Sequence, residues 1–167
     1  MSDTDTAVRR ATARPSPFEW VAGRPWRGAL LAGLGGFLTI GVLATINATQ
    51  ELPLLIAPFG ASCVLVFGVP ASPFARPRNV IGGHLVTALM GLIAVSVLGA
   101  GPLGIAAGVG AAIAAMMVTD TVHPPAGANP IVVALTGAGW SFLAAPVLLG
   151  AAVIVLIGFA YNRVVRR

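Results

Sequence analysis

Thr119 to Pro130 reads T-D-T-V-H-P-P-A-G-A-N-P, a polar, proline-rich interruption deep inside an otherwise apolar chain. Proline has no N–H and keeps the residue before it out of the α conformation, so Val122 to Pro125 cannot be the interior of a regular helix. Apolar segments flank the stretch on both sides, which puts it near membrane depth. Non-helical backbone persists there only where protein buries it or where it lines a wet cavity, and an ionisable side chain at that depth points to function. The stretch carries Asp120 and His123 in a chain with five acidic residues and two histidines. It is the first candidate site.

Composition sets the surroundings. Of 167 residues, 57% are hydrophobic and 9% charged, too little charge to cover a soluble core of this size. The reading is one all-α, polytopic membrane domain in a lipid bilayer. All ten basic residues are Arg. They sit in the N-terminal stretch to Arg27, in one loop (Arg76, Arg78) and at the C-terminus from Arg163. That placement marks membrane orientation and anionic headgroups; no nucleic-acid surface is expected, because no aromatic-basic groove accompanies it. Cys63 lies in an apolar run and reads as a packing residue. Met1 to Trp26 lacks the shape of a signal peptide, so the first span is expected to be an uncleaved anchor.

The chain order follows from this. Residues 1–16 read as a disordered tail and 17–27, with Trp20, Trp26, Arg24 and Arg27, as an interfacial segment. The transmembrane domain is expected over 28–162, with a basic tail at 163–167. Residues 28–46 form a first full span. Leu54 to Val69 is apolar but short and broken near its start by Pro58 and Gly60. Pro70 to Asn79 is a proline-rich loop, Val80 to Leu98 a second full span, and Leu103 to Val118 a Gly/Ala-rich one. After the central stretch come a short run, Ile131 to Thr136, and a final span from about Trp140 to Tyr161.

This order contains a repeat. An offset of 67 residues lays Pro58-Phe59-Gly60-Ala61-Ser62 on Pro125-Ala126-Gly127-Ala128-Asn129, and then Gly83 on Gly150 and Gly91 on Gly158. Repeat one covers about 28–98 and repeat two about 103–161, each a long helix, a broken short helix and a long helix. If the short segments cross the membrane, the halves are inverted three-plus-three. With six crossings the N-terminus, the Arg76/Arg78 loop and the C-terminus fall on one side, as the positive-inside rule requires; with four, the loop does not.

Paired breaks at corresponding places are the sequence signature of a transport site. After each break the chain restarts as helix, and helix N-termini attract anions. Pro58, Gly60, Ala61 and Ser62 in the first half, and Pro124, Pro125, Gly127, Ala128 and Asn129 in the second, are the candidate substrate-binding residues. His123 is the natural hydrogen-bonding or proton-linked group. Asp120, three residues earlier, is expected to orient its imidazole and with it to supply proton coupling or gating, for which His84 is a further candidate. The bland readings are a histidine bonded to a carbonyl, an interfacial Asp and helix glycines that only allow close packing. No catalytic constellation or metal cage emerges, so neither an enzyme nor a cofactor is expected.

H-P-P-A-G-A at 123–128 after T-D-T-V, A-P-F-G-A-S at 57–62 and A-R-P-R-N-V-I-G-G-H at 75–84 together resemble the HPP family of integral membrane proteins, over about residues 25–162. That family is usually described with four predicted spans, against the six read here. Its plant chloroplast and cyanobacterial members are associated with nitrite transport, so the resemblance implies a nitrite-like anion as substrate, and His123, Pro124 and Pro125 as motif positions. The expectation is a homo-oligomeric anion transporter or channel of a bacterial inner membrane, with both termini cytoplasmic. An aquaporin-like channel for water or a neutral solute, echoed faintly by Ala128-Asn129-Pro130, and a non-transporting scaffold are the alternatives.

Overall fold

The computed structural model describes residues 26–50 and 53–165, and these are helical with no strand. The tail at 1–16, nearly all of the interfacial segment at 17–27 and the end of the basic tail lie outside the described residues. Helix α1 is Trp26–Thr49. Helix α2 is Ala57–Gly68, beginning with a proline in its first turn and widening to π turns over Val64–Gly68. Proline is tolerated at that place because the first-turn N–H groups have no partner within the helix. Helix α3, Pro77–Leu98, opens the same way and stops at Gly99, which adopts a φ of 77° that a side chain would oppose. Helix α4 is Pro102–Val118. The central stretch runs extended to His123, tightens into a 3-10 turn over Pro124–Ala128 and becomes helix α5, Asn129–Thr136.

Helix α6, Trp140–Val165, differs from the unbroken final span expected from the sequence. Pro146 forces Ala145 into an extended conformation (φ −135°, ψ 123°), so regular α-helix begins only at Leu149.

By length and composition α1, α3 and α6 can each cross a membrane. The two broken segments reach comparable lengths by mixing conformations. Extended residues at about 3.3 Å each, 3-10 residues at about 2.0 Å and α residues at about 1.5 Å give contours of about 31 Å for 53–68 and about 32 Å for 121–136, against a hydrocarbon core of about 30 Å.

Three contacts gather one end of the molecule. Tyr161 donates to the Leu31 carbonyl (2.7 Å), Asn162 to the Val66 carbonyl (2.9 Å), and Arg78 to the Thr119 carbonyl (2.8 Å). The start of α1, the finish of α2, the start of α3 and the finishes of α4 and α6 therefore lie together. All four described arginines, Arg27, Arg76, Arg78 and Arg163, belong to this end. At the other end Pro53 and Leu55 line a groove with Thr136, Gly139 and Ser141, so the start of α2 meets the finish of α5 and the start of α6.

The core has two parts. Leu43, Phe59, Val66, Phe67, Val80 and Ile154 pack around α2, and Ala88, Leu92, Val133, Phe142 and Val147 pack around α5. Glycines let the long helices touch the breaks. A Cβ on Gly83 would stand 2.8 Å from the Thr121 carbonyl oxygen, and one on Gly150 would stand 3.2 Å from the Leu54 carbonyl oxygen and inside the Phe59 ring. The 67-residue offset carries Leu54 to Thr121 and Gly83 to Gly150. Each half thus seats its last long helix on the broken segment of the other half, through the same glycine.

Candidate functional site

His84 lies seven residues into α3, about 10 Å from its start. Ser62 is in the first turns after the break of α2, His123 caps the 3-10 turn, and Asn129 opens α5. All four side chains have no solvent exposure. Ser62 Oγ stands 2.9 Å from His84 Nε2 and 2.8 Å from His123 Nε2. The two rings are 5.1 Å apart between centroids, and Phe59 packs edge-on to His84.

The ends of this chain determine where its protons lie. His123 Nδ1 is 2.8 Å from the Phe74 carbonyl oxygen, which can only accept, so Nδ1 carries the proton and Nε2 is bare. The Asn129 amide nitrogen faces the His84 carbonyl at 3.0 Å, Thr87 Oγ1 at 3.0 Å and His84 Nδ1 at 3.1 Å. Turning the amide over would set oxygen against the carbonyl, so the nitrogen stays, its two N–H groups are shared among these three acceptors, and His84 Nδ1, facing a nitrogen that cannot accept, carries no proton. His84 is then protonated at Nε2 and donates to Ser62, whose own proton goes to His123. The sequence Asn129, His84, Ser62, His123, Phe74 carbonyl is one directed run of hydrogen bonds joining both breaks through α3. Nitrogen-15 NMR of the histidine rings is expected to show His84 as the Nε2–H tautomer and His123 as Nδ1–H; the same tautomer on both rings would contradict the assignment.

Two further features complete the geometry. Ser62 Oγ also lies 3.2 Å from the Pro58 carbonyl oxygen, a second acceptor for its single proton. Asn129 Oδ1 is buried and accepts from no described residue, an arrangement costing about 1–3 kcal/mol. Stability alone would not favour it.

Several expected residues stand elsewhere. Asp120 does not orient His123. It adopts a left-handed φ of 52°, is exposed, and pairs with Arg78 at 3.2 Å. The turn after α4 points its carboxylate out to the Arg78 side, while extended residues 121–123 carry the imidazole inward. Gly60 and Ala61 are exposed, with Gly60 in an outer groove between α1 and α2 beside Gly33 and Gly36. Pro124 is exposed; Pro125, Gly127 and Ala128 are half-buried, and Pro58 is buried. His84, by contrast, joins the centre. Thr87 and the Phe74 carbonyl were not foreseen. Thr87 follows His84 by three residues and shares its helix face, a legible hint, whereas a backbone carbonyl in a loop leaves none. Asn79 and Arg78 bind the Val122 and Thr119 carbonyls and hold the start of α3 against the central stretch. Among the described residues no group of three or more His, Cys, Asp or Glu side chains could hold a metal ion.

Comparisons with known proteins agree in kind. A family model described as HPP, transmembrane region, matches residues 22–167. A transmembrane protein of Dictyostelium discoideum is 34% identical over 146 residues, covering 80% of this chain and 51% of its own length. Another from the same organism is 32% identical over 146 residues, covering 80% and 47%. The chain spans about half the length of these relatives, whose names describe them only as transmembrane proteins. No solved structure matches.

Proposed function

The chain belongs to the HPP family of transmembrane proteins, and on that footing we propose that it carries a small anion, nitrite foremost, across the membrane. One observation carries the reading. Among the described residues, the buried cluster where the two breaks meet α3 contains two imidazoles and no acid, the carboxylate of Asp120 being held at the surface by Arg78. Such a cluster can be neutral or positive but never negative, so its charged partner is an anion. The half-buried backbone of Gly127 and Ala128 and the neighbouring Pro124 and Pro125 form the wall along which the anion reaches it, with Ser62 and Asn129 as its polar contacts. No step in this reading forms or breaks a covalent bond in the substrate.

The path is proposed to run between inverted three-helix halves. Crossing contours for both broken segments, the gathering of every described arginine at one end, and the reciprocal Gly83–Thr121 and Gly150–Leu54 contacts all support it. By the positive-inside rule that end is the cytoplasmic one, in a bacterial inner membrane. The groove of Gly33, Gly36 and Gly60 is where self-association would bring a second copy close. The aquaporin-like alternative is disfavoured, because the Asn129 amide N–H groups go to His84 and Thr87 rather than to a file of water.

The test is nitrite uptake into proteoliposomes of the purified chain, compared with empty vesicles and with His123→Ala. Saturable uptake that the substitution abolishes supports the reading. Wild-type uptake no faster than that of empty vesicles, for nitrite and for a panel of other small anions, rejects it.

A further inference from the structure

The bonds around Ser62 say how many protons, and what charge of anion, the cluster takes. In the neutral state its hydroxyl proton is given to His123 Nε2, and its oxygen receives the His84 Nε2–H. A proton added to His123 Nε2 must displace that hydroxyl proton, and the Pro58 carbonyl, 3.2 Å from Ser62 Oγ, is placed to receive it. Ser62 then accepts from both imidazoles by a rotation of its O–H alone. A second added proton would have to go to His84 Nδ1, which faces the Asn129 amide nitrogen at 3.1 Å; that nitrogen cannot accept a hydrogen bond and is fixed in place by the His84 carbonyl and Thr87. The cluster therefore has room for one proton and is closed to two.

Both ends of the chain are also stopped. A carbonyl at Phe74 and an amide N–H at Asn129 do not relay protons, so the run of hydrogen bonds stores a proton without conducting it. The groups that face the pair are Ser62 and Phe59 from α2, Thr87 from α3, Asn129 from α5 and the Phe74 carbonyl from the loop before α3. None is an acid. One added proton leaves a single buried positive charge, which is strongly unfavourable without a counter-charge.

We propose that the cluster is a one-proton receptor whose cationic form binds one monovalent anion: the two arrive as the neutral acid, which gives its proton to His123 Nε2, and leave as the same acid, so that proton and anion move together in a one-to-one, electroneutral step. This rests on the anion-transport reading above. The anion takes over the imidazolium N–H groups from Ser62 as charge-assisted bonds. A divalent anion such as sulfate would leave a net negative charge in the same buried place and is excluded. Uncoupled proton leak is excluded as well, because the chain has no through route.

The experiment has two arms. In detergent, nitrite and then formate are added to the purified protein in weak buffer with a pH indicator. The expected result is uptake of one proton per chain on saturation, none with sulfate, and none with His123→Gln. In proteoliposomes, uptake of either monoanion is expected to follow an imposed pH gradient at one proton per anion beyond the acid leak of empty vesicles, and to be indifferent to a potential set by potassium and valinomycin. Anion flux that responds to voltage and brings no proton overturns the one-to-one coupling while leaving transport standing. No flux of any anion together with no proton uptake in detergent overturns both. Proton uptake of two per chain, or equal uptake with sulfate, overturns the one-proton site whatever the flux.

Discussion

Replacing Ser62 with alanine is expected to bring anion flux down to that of empty vesicles and to destabilise the protein by about 2–6 kcal/mol. Among the described residues the hydroxyl is the hydrogen-bonding bridge between the two imidazoles: His84 Nε2–H loses its acceptor and His123 Nε2 its donor at 2.9 and 2.8 Å. A buried polar group left without a partner costs about 1–3 kcal/mol, and two are created here. Thermal unfolding in detergent reads the stability and vesicle uptake reads the flux. Ser62→Cys, close in shape and still a weak donor and acceptor, is expected to recover most of the fold but little flux. Wild-type flux in Ser62→Ala would remove the hydroxyl from the transport path.

Gly83→Ala is the second large effect. Its Cβ would stand 2.7 Å from His123 Cβ and 2.8 Å from the Thr121 carbonyl oxygen, backbone and near-backbone atoms that cannot swing away. Either α3 lifts off the central stretch or His123 leaves the Phe74 carbonyl. Overpacking of this kind costs about 1–3 kcal/mol, and flux is expected to fall more than tenfold through the displaced imidazole. Gly60→Ala and Gly127→Ala are the contrast, since an added Cβ meets nothing within 4 Å at either position. Both are expected to unfold like wild type, so a flux defect in Gly127→Ala would place that backbone along the anion's path. Equal flux in Gly83→Ala and wild type would show that α3 and the second break need not touch as closely as they do.

Much of this was legible along the chain. Proline rules place the breaks at Pro58 and at Pro124–Pro125, and apolar length places α1, α3 and α4 within a few residues of their observed limits. The kink at Ala145 follows from Pro146 by the same rule, but an apolar run of full length hides a single proline. Asp120 was misjudged for a different reason. Its three-residue spacing from His123 suggests contact only if a helix continues, and the chain instead turns through a left-handed residue and runs extended.

By itself the sequence determined the membrane class and the position of both breaks, since each follows from local chemistry: missing N–H groups and apolar length. Only the tertiary structure decided that His84 is gripped on its two nitrogens by Ser62 and Asn129, which the 67-residue offset makes equivalent. It also decided that Arg78 draws Asp120 out to the surface. Those outcomes depend on the register in which α3 lies against the breaks. That register is set by close contacts at Gly83 with Thr121 and at Gly91 with Pro130, between residues about forty positions apart, where no rule of local spacing reaches.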